Sequence, residues 1–378
     1  MLIIHLTQPQ QEDTTKDLHV FFLTYRTYSL SEQVLEKLKE RYLGPKVQDQ
    51  RKEIVEIQLK VVQLIKIWLK DYFFNISENF LLKLKDFIEN FIQKDFKEES
   101  NNLLDLMKKQ EVIFHCPPEM VHYPIDQNSI QKRISWKNFK AKEIAAQMTL
   151  IDINFFSKIR PSEFLGQQWI KKKKNSFNIV QWIQHFNHML QFISTEIVLP
   201  EKVKDRKKLC VKFIHVAEHL LQLNNFTSLK CVNSVFNSTC IRSLRHTWNE
   251  IPQKEIQKLE SIGILLSPQS CFSTFRKKLE ASPLPTIPDL GIYLTDCVFI
   301  DEGNRDITGE QLINWHKMGL TSSVIQRFRH FQQSNYQIEP IPHLLYTFSA
   351  LEGRMDGENL FQLCREREPR RVERSKIK

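Results

Sequence analysis

The chain has 378 residues, of which 41% are hydrophobic and 26% are charged, so it is long enough for two globular domains and too apolar for a disordered protein. Only 9 glycines are present, and long segments rich in Leu, Ile, Lys, Glu and Gln favour an all-α fold. The formal net charge of +10 suits an acidic protein, an anionic membrane or a nucleic acid as partner, but its two clusters, Lys171–Lys174 and Arg365–Lys378, are interpreted as solvated faces and chain ends.

The seven cysteines are scattered and no Cys-x-x-Cys pair occurs. This pattern argues against a disulfide framework and against a structural zinc site. The amino terminus lacks the basic region of a signal peptide, and no stretch reaches the roughly 18 uninterrupted apolar residues of a membrane span. We therefore expect a cytoplasmic protein whose contact with any membrane is peripheral.

Taken in chain order, residues 17–43 predict two helices around a turn, with Ser31 as the N-cap of the second. Residues 52–73 and 78–95 each carry an apolar stripe at helical spacing. A segment with several prolines and little periodicity follows, and helical patterns then continue almost to the end. The predicted organisation is a helical bundle at 1–108, a linker at 109–136, a larger helical domain at 137–372 and a basic tail at 373–378.

The sequence contains no P-loop, dinucleotide glycine motif, HExxH or GxSxG. His185 and His188 lie three residues apart on a predicted helix, but no carboxylate or cysteine completes a metal site there. His215 and His219 lie four residues apart, which is more typical of a helix surface or of hydrogen-bonded core residues. We therefore expect no cofactor and no metal.

Several segments of the predicted larger domain stand out: QMTLIDINFFSKIRPSEFLGQQW at 147–169, LLQLNNFTSLKCVNSVFNSTCIRSLRHTW at 220–248, LPTIPDLGIYLTDCVFIDEGN at 284–304 with LIN at 312–314, IQRFRHFQQSNYQI at 325–338 and LFQLCREREPR at 360–370. Those of the amino-terminal bundle are LIIHLT at 2–7, FFLTYRTY at 21–28 and VVQLIKIWLKDYF at 61–73. In this order, the segments of the larger domain resemble the Cdc25-homology catalytic domain of the Ras-family guanine-nucleotide exchange factors. The bundle is similar to the exchanger motif that precedes this domain in the family.

The resemblance implies an all-α protein, with a small helical bundle packed on a larger catalytic domain from which a helical hairpin protrudes. In the family this hairpin opens the nucleotide site of a Ras-like small GTPase, so that GDP leaves without any covalent chemistry. The implied partner is a GTPase of the Ras, Rap or Ral type. The implied location is the cytoplasm, with recruitment to the inner face of the plasma membrane and a peripheral contact with anionic lipid in the context of a longer protein.

The sequence can build such a hairpin near Asp289–Leu312. Pro288 is expected in the first helical turn, and Gly303–Asn304 supplies a turn. Thr308 and Gln311 have the spacing of a capping box, which predicts the start of the second helix.

Val298 and Glu302 are four residues apart and therefore share one face of the first hairpin helix. The resemblance assigns them the catalytic roles: the aliphatic side chain crowds the Mg²⁺ position, and the carboxylate competes with the nucleotide phosphate for its ligands. Val298 is smaller than the Leu expected there. The resemblance also assigns GTPase binding to Asp289, Leu290, Thr295, Phe272, Ser243 and Arg245, and hairpin support to Glu163, Asn224 and Asn225.

Two positions depart from the family pattern, since Asp289 stands where Phe is expected and Ser243 where Arg is common. An alternative function follows from them: a catalytically weak or inactive member that holds a GTPase as a scaffold. A basic nucleic-acid-binding protein is a second alternative. It is disfavoured because no recognised motif and no interleaving of aromatic and basic residues on one face occurs.

Overall fold

The computed structural model describes residues 2–9, 15–44, 51–74, 76–115, 135–369 and 372, with the side chains of 51 and 111–115 excepted. Within these residues the regular structure is helical, with two isolated β-bridges and no strand, which confirms the all-α prediction. None of the described helices has the length and apolar character needed to cross a membrane. Residues 116–134 of the predicted linker and the tail 373–378 lie outside the described part.

The chain forms two compact units, each assembled from separate segments. The first contains Met1–Val121, Arg160–Ser176 and Tyr293–Arg327, and the second contains His122–Ile159, Phe177–Ile292 and Phe328–Lys378. Because these segments interleave, neither unit is one continuous stretch of the chain. The domain boundaries expected from the sequence stay a prediction.

The first unit is built around the buried indole of Trp68. Phe22 and Phe80 lie with their ring centroids 5.7 and 4.9 Å from that of Trp68, and Tyr25 meets it edge-on at 5.6 Å. These rings come from helices whose apolar residues recur at helical spacing, so burial of one face drives their association. The helices are α1 (Leu2–Leu6), α2 (Thr15–Thr24), α3 (Ser31–Leu43), α4 (Arg51–Asp71), α5 (Glu78–Phe87), α6 (Gln93–Asp95) and α7 (Lys97–His115), with a π-helical turn Ile88–Ile92 between α5 and α6 and a 3₁₀ turn Tyr25–Thr27 after α2.

The predicted N-cap of α3 is wrong by one residue. Leu30 occupies the cap, and its backbone N–H donates to the Gln33 side chain at 2.9 Å. The Ser31 hydroxyl instead hydrogen-bonds the Tyr25 hydroxyl at 2.9 Å inside the unit. The Ser31 hydroxyl therefore pairs with the buried Tyr25 hydroxyl and does not cap the helix.

The second unit surrounds the helix Val203–Gln222 (α11), which packs against the helices Ala141–Lys158 (α8) and Phe226–Asn237 (α12). Aromatic contacts fill its interior: the Phe156 and Phe328 ring centroids are 4.8 Å apart, and those of Trp136 and Phe213 are 5.3 Å apart. Its helices are α8 (Ala141–Lys158), α10 (Phe177–Val198), α11 (Val203–Gln222), α12 (Phe226–Asn237), α13 (Thr239–Arg242), α14 (Arg245–Asn249), α15 (Gln253–Leu265), α16 (Gln269–Glu280), α19 (Pro342–Ala350) and α20 (Gly357–Arg367); α9 (Gln168–Lys171) belongs to the first unit, and α17 (Leu290–Gly303) and α18 (Trp315–Phe331) each run through a boundary.

Two connections fix the carboxyl-terminal segment to the second unit. A disulfide joins Cys240 of α13 to Cys364 of α20, which corrects the expectation drawn from cysteine spacing. A fully buried Arg206 donates to the Glu368 carboxylate at 2.9 Å, and the Thr247 hydroxyl donates to the same carboxylate. The buried ion pair is therefore supported by further hydrogen bonds, as burial of charge requires.

Candidate functional site

One face of α17 is exposed. Thr295, Phe299 and Glu302 are exposed and Val298 is half-buried, whereas Cys297 on the other side is buried. The exposed residues follow the spacing of three and four that places side chains on one face of a helix. Phe299 is 67% exposed, which is unusual for an aromatic side chain and marks a face available to a partner. Leu290, at the start of the helix, is buried.

The second hairpin helix begins later than predicted. Asn314 caps α18, since its side-chain oxygen accepts from the backbone N–H of Lys317 at 3.1 Å. Thr308 and Gln311 instead form a turn, in which the Thr308 hydroxyl accepts from the backbone N–H of Leu312 at 3.3 Å. Pro288 likewise lies before the cap of α17 rather than in its first turn, because Leu290 is the first helical residue. Helix α17 ends at Gly303 and the chain bends at Asn304, so the break expected at Gly303–Asn304 is confirmed.

Lys317 connects the two hairpin helices. Its ammonium lies 3.0 Å from the Asp301 carboxylate and 2.7 Å from that of Asp306, and its side chain is only 5% exposed. Burial lowers the pKa of Lys317, but the hydrogen bonds that its ammonium donates to Asp306 and Asp301 outweigh this effect, and the net pKa is raised. The ammonium therefore stays charged, and the turn that follows α17 is held against the start of α18.

The amino-terminal helices also contact the hairpin within the first unit. The Trp315 indole N–H donates to Asp17 Oδ1 at 3.1 Å, and His5 Nε2 lies 2.9 Å from Asp17 Oδ2. The hydrogen bond from His5, with a smaller one from Trp315, lowers the pKa of Asp17 despite the opposing effect of burial. A single carboxylate thus joins α2 to both α1 and α18.

Asp289, at the start of α17, is buried and forms an ion pair with Lys230 of α12. Its other oxygen accepts from the backbone N–H of Gly291 at 3.2 Å, so the carboxylate caps the helix. The Lys230 ammonium also lies 5.5 Å from the centre of the Phe272 ring, within range of a cation–π contact. The structure therefore brings Asp289 and Phe272 together through a lysine that sequence analysis did not single out.

Asn225 organises the segment that precedes α17. Its amide donates to the Thr149 hydroxyl at 3.1 Å and to the buried Asp152 carboxylate at 2.8 Å, while its oxygen caps α12. Backbone hydrogen bonds at 2.9 and 3.0 Å then join residues 224–226 to Ile287. Asn224 itself adopts a left-handed φ of 52°, a conformation that Asn tolerates better than most residues.

Glu163, the third predicted support residue, lies in the first unit and is buried. Its side chain accepts from the backbone N–H of Arg160 at 3.1 Å, and its carbonyl accepts from the Ser176 hydroxyl at 3.0 Å. These bonds fix the turn Pro161–Gln167, which packs against α2 and the Tyr25–Thr27 turn.

A cavity of about 830 Å³ lies in the second unit among α12 to α16. Arg242, Trp248 and the strongly exposed Ile264 line it, and Phe272 lies in the left-handed stretch of α16 whose Ser270 also lines it. Ser243 and Arg245 are exposed at the corner between α13 and α14, next to Arg242. Of the predicted binding residues, Phe272, Ser243 and Arg245 are thus close in sequence to residues that line this cavity. Asp289 and Leu290 are buried and do not line it.

The histidines found by spacing divide into two cases. His185 is buried and stacks on Phe155 at 4.6 Å, and burial lowers its pKa to about 4. His215 instead lies with Glu218 and Glu255 in a group whose candidate ligand atoms are within 4.8 Å of one another. The Lys258 ammonium already contacts both carboxylates, at 2.9 and 3.2 Å, so a cation balances this group.

Comparison with known proteins supports the pattern of segments. Residues 143–335 match the RasGEF domain, and residues 1–109 match the RasGEF N-terminal motif. The chain is 32% identical over 399 residues to Ras guanine nucleotide exchange factor J of Dictyostelium discoideum, covering 100% of this chain and 48% of the relative. Factor I of the same organism is also 32% identical, with coverage of 100% and 47%.

A mammalian relative matches a shorter region. Mouse Ras-specific guanine nucleotide-releasing factor 1 is 34% identical over 229 residues, which cover 60% of this chain and 18% of that protein. The chain thus spans about half the length of its Dictyostelium relatives J and I, and a smaller share of the mouse protein.

Proposed function

Because this chain belongs to the RasGEF family, we propose that it promotes release of GDP from a Ras-like small GTPase by inserting the exposed face of α17 near the nucleotide. The observation that carries the proposal is the position of Glu302. Its carboxylate is exposed one helical turn beyond Val298 and next to Phe299 along the same face. An acidic group and apolar side chains are thus presented together by one helix.

Such a face can oppose nucleotide binding in two ways. A carboxylate competes with phosphate for the positively polarised groups that hold it, because both are anions with oxygen acceptors. Apolar side chains such as Val298 and Phe299 displace water and offer no ligand to a hard cation such as Mg²⁺, which requires oxygen ligands. No covalent bond changes, so the protein acts on binding equilibria and rates alone. By linkage, the incoming nucleotide expels the exchange factor.

The hairpin must resist the force of insertion, and its contacts support this role. Lys317 joins its two helices, and Asp17 joins its second helix to the amino-terminal module. In the second unit, Asn224 and Asn225 hold the chain that enters α17. We assign these asparagines, with Glu163 of the first unit, to support rather than to GTPase contact.

The binding surface of the second unit would be the cavity among α12 to α16, with Ser243, Arg245 and Phe272 at its margin. Its mixed lining suits a segment of the GTPase that carries both apolar and charged side chains. The partner is a GTPase of the Ras, Rap or Ral type. The protein would act in the cytoplasm and be recruited to the inner face of the plasma membrane.

The test is the release of a fluorescent GDP analogue from Ras, Rap and Ral proteins, with Glu302→Gln compared with the unchanged chain. We expect the substitution to slow release by about tenfold or more, since tenfold corresponds to about 1.4 kcal/mol. Glu310→Gln is the matched control, because Glu310 is an exposed acid of the hairpin turn outside the α17 face. Absence of acceleration with every GTPase would refute the proposal.

One observation favours a second function, that of a GTPase-binding scaffold without exchange activity. Asp289 stands where the family resemblance leads us to expect Phe, and its carboxylate is occupied by Lys230 and by the start of α17. Binding of nucleotide-free GTPase without faster release would select this function.

A further inference from the structure

The exposed end of α9 and the turn that follows it carry an unusual concentration of positive charge. Ile170 and the four lysines Lys171–Lys174, here called the lysine patch, are all exposed, and Ile170 is 60% exposed. The chain leaves α9 at Lys171 and enters a 3₁₀ turn at Lys173–Ser176. The patch belongs to the first unit and is separate in sequence from the hairpin.

The charge of the lysine patch is not neutralised. Among the described residues, none of its four ammonium groups forms an ion pair, whereas Lys230, Lys258 and Lys317 each contact a carboxylate. The sequence offers no local compensation, because no Asp or Glu occurs between Glu163 and Glu196. Like charges at adjacent positions repel one another, so this arrangement is more favourable when an anionic surface approaches.

The patch is also held in place at both ends. Trp169, immediately before Ile170, is buried, and Ser176 at the other end is buried with its hydroxyl donating to the Glu163 carbonyl at 3.0 Å. The backbone N–H of Lys172 donates to the Gln168 carbonyl at 2.8 Å. The turn therefore presents its lysines from a fixed backbone, so binding through them orders little of the chain.

We propose that the lysine patch binds an anionic lipid surface, with the Lys171–Lys174 ammonium groups at the phosphate level and Ile170 inserted among the headgroups. A cluster of lysines attracts acidic lipid, and an exposed aliphatic side chain beside it gains from leaving water. A single-stranded nucleic acid is less well matched, because its binding relies on several aromatic side chains that stack on successive bases, whereas one exposed aromatic residue, Phe177, follows the patch. This inference does not depend on exchange activity.

The experiment is co-sedimentation of the full chain with phosphatidylcholine vesicles, with and without phosphatidylserine. The variant carries Gln at Lys171, Lys172, Lys173 and Lys174. We expect it to lose about 600-fold in binding to the phosphatidylserine vesicles, since each of the four lysines near such a surface contributes about fivefold. Ile170→Ser should give a smaller loss that persists at high salt, where the electrostatic part is screened.

The matched control replaces the exposed Lys83, Lys85, Lys94 and Lys97 of the same unit by Gln, which removes the same net charge. An equal loss in this control would overturn the proposal, because the binding would then reflect overall charge alone. Equal binding of the native chain and the patch variant would also overturn it, as would tight binding of the patch to RNA with none to vesicles. Exchange on lipid-free GTPase should be the same in the native chain and the patch variant, which keeps this test separate from that of the exchange activity.

Discussion

The Lys317 ammonium lies 3.0 Å from the Asp301 carboxylate, and this ion pair joins α18 to α17 near the turn of the hairpin. Both side chains are mostly buried, at 5% and 16% exposure, so water screens the pair little. The ion pair and the connecting segment therefore both hold α18 against α17, the helix that carries the exposed face.

Lys317→Met should destabilise the protein by about 2 kcal/mol, because it leaves the Asp301 carboxylate partly buried without its cation. The half-exposed Asp306 loses a weaker interaction. Thermal unfolding measures the loss, and GDP release should slow in parallel as the hairpin loosens. Arg327→Met, at an exposed position of the same helix, is the control and should change neither quantity. A slower release with unchanged stability would contradict this account.

Asp152 should make stability depend on pH. Burial raises the pKa of its carboxyl from 3.8 to about 6, against the opposing hydrogen bonds from Ser228 and Asn225. The folded state thus holds a proton that the unfolded chain releases between these values, so stability falls as pH rises through this window and is constant above it. The difference amounts to about 3 kcal/mol, at about 1.4 kcal/mol for each pKa unit.

Asp152→Asn removes this titration while keeping the shape of the side chain. The free energy of unfolding of the variant, minus that of the native chain, should therefore increase between pH 4 and pH 6. Chemical denaturation at several pH values measures it. If the difference were the same at all pH values, the Asp152 carboxyl would not be the titrating group.

The effects of substitutions at Lys230 and Asp289 on the free energy of unfolding should be coupled. Lys230→Met leaves the buried Asp289 carboxylate without its cation and should cost about 2 kcal/mol, a value reduced because Lys230 is 29% exposed. Adding Asp289→Asn removes the stranded charge, keeps an oxygen that can cap α17, and should recover most of the loss. A double-mutant cycle by denaturant unfolding should give a coupling energy of about 1–2 kcal/mol. Additive single effects would mean that the ion pair contributes nothing.

The Cys240–Cys364 disulfide should stabilise the second unit against unfolding. It spans 124 residues, and cross-links of long loops contribute about 2–4 kcal/mol by restricting the unfolded chain. Cys364→Ser should lower the melting temperature, and a thiol reductant should lower that of the native chain by a similar amount without affecting the variant. Cys271→Ser, at an exposed free cysteine, should have no effect. A native chain insensitive to reductant would show that the bond is absent in solution.

Local spacing was the reliable part of the sequence analysis. The shared face of Val298 and Glu302 follows from helical geometry alone, and the Gly303–Asn304 turn follows from residue type. The cap at Ser31 and the capping box at Thr308 and Gln311 were misplaced, since hydroxyl side chains also serve tertiary contacts and turns. Asn314 gives the only helix-start signal that the second hairpin helix uses in the described structure.

Contacts between residues distant in sequence could not be predicted. Lys230 and Asp289 are 59 residues apart, and nothing in either local sequence indicates that they meet. The same holds for Cys240 and Cys364, and for Trp315 and Asp17 at a separation of 298. Packing of the folded chain determines these contacts. A single sequence shows which side chains are available, but not which distant side chains meet.

The interleaving of the two units has a consequence for synthesis on the ribosome. About 200 residues separate Val121, where the first segment of the first unit ends, from Arg327, where its last segment ends. At about 5–20 residues per second, that interval is roughly 10–40 s. During this interval Asp17 lacks its hydrogen bond from the indole of Trp315, so part of the surface that the amino-terminal helices later bury stays exposed. A chaperone that binds apolar surface would have its best opportunity in that interval.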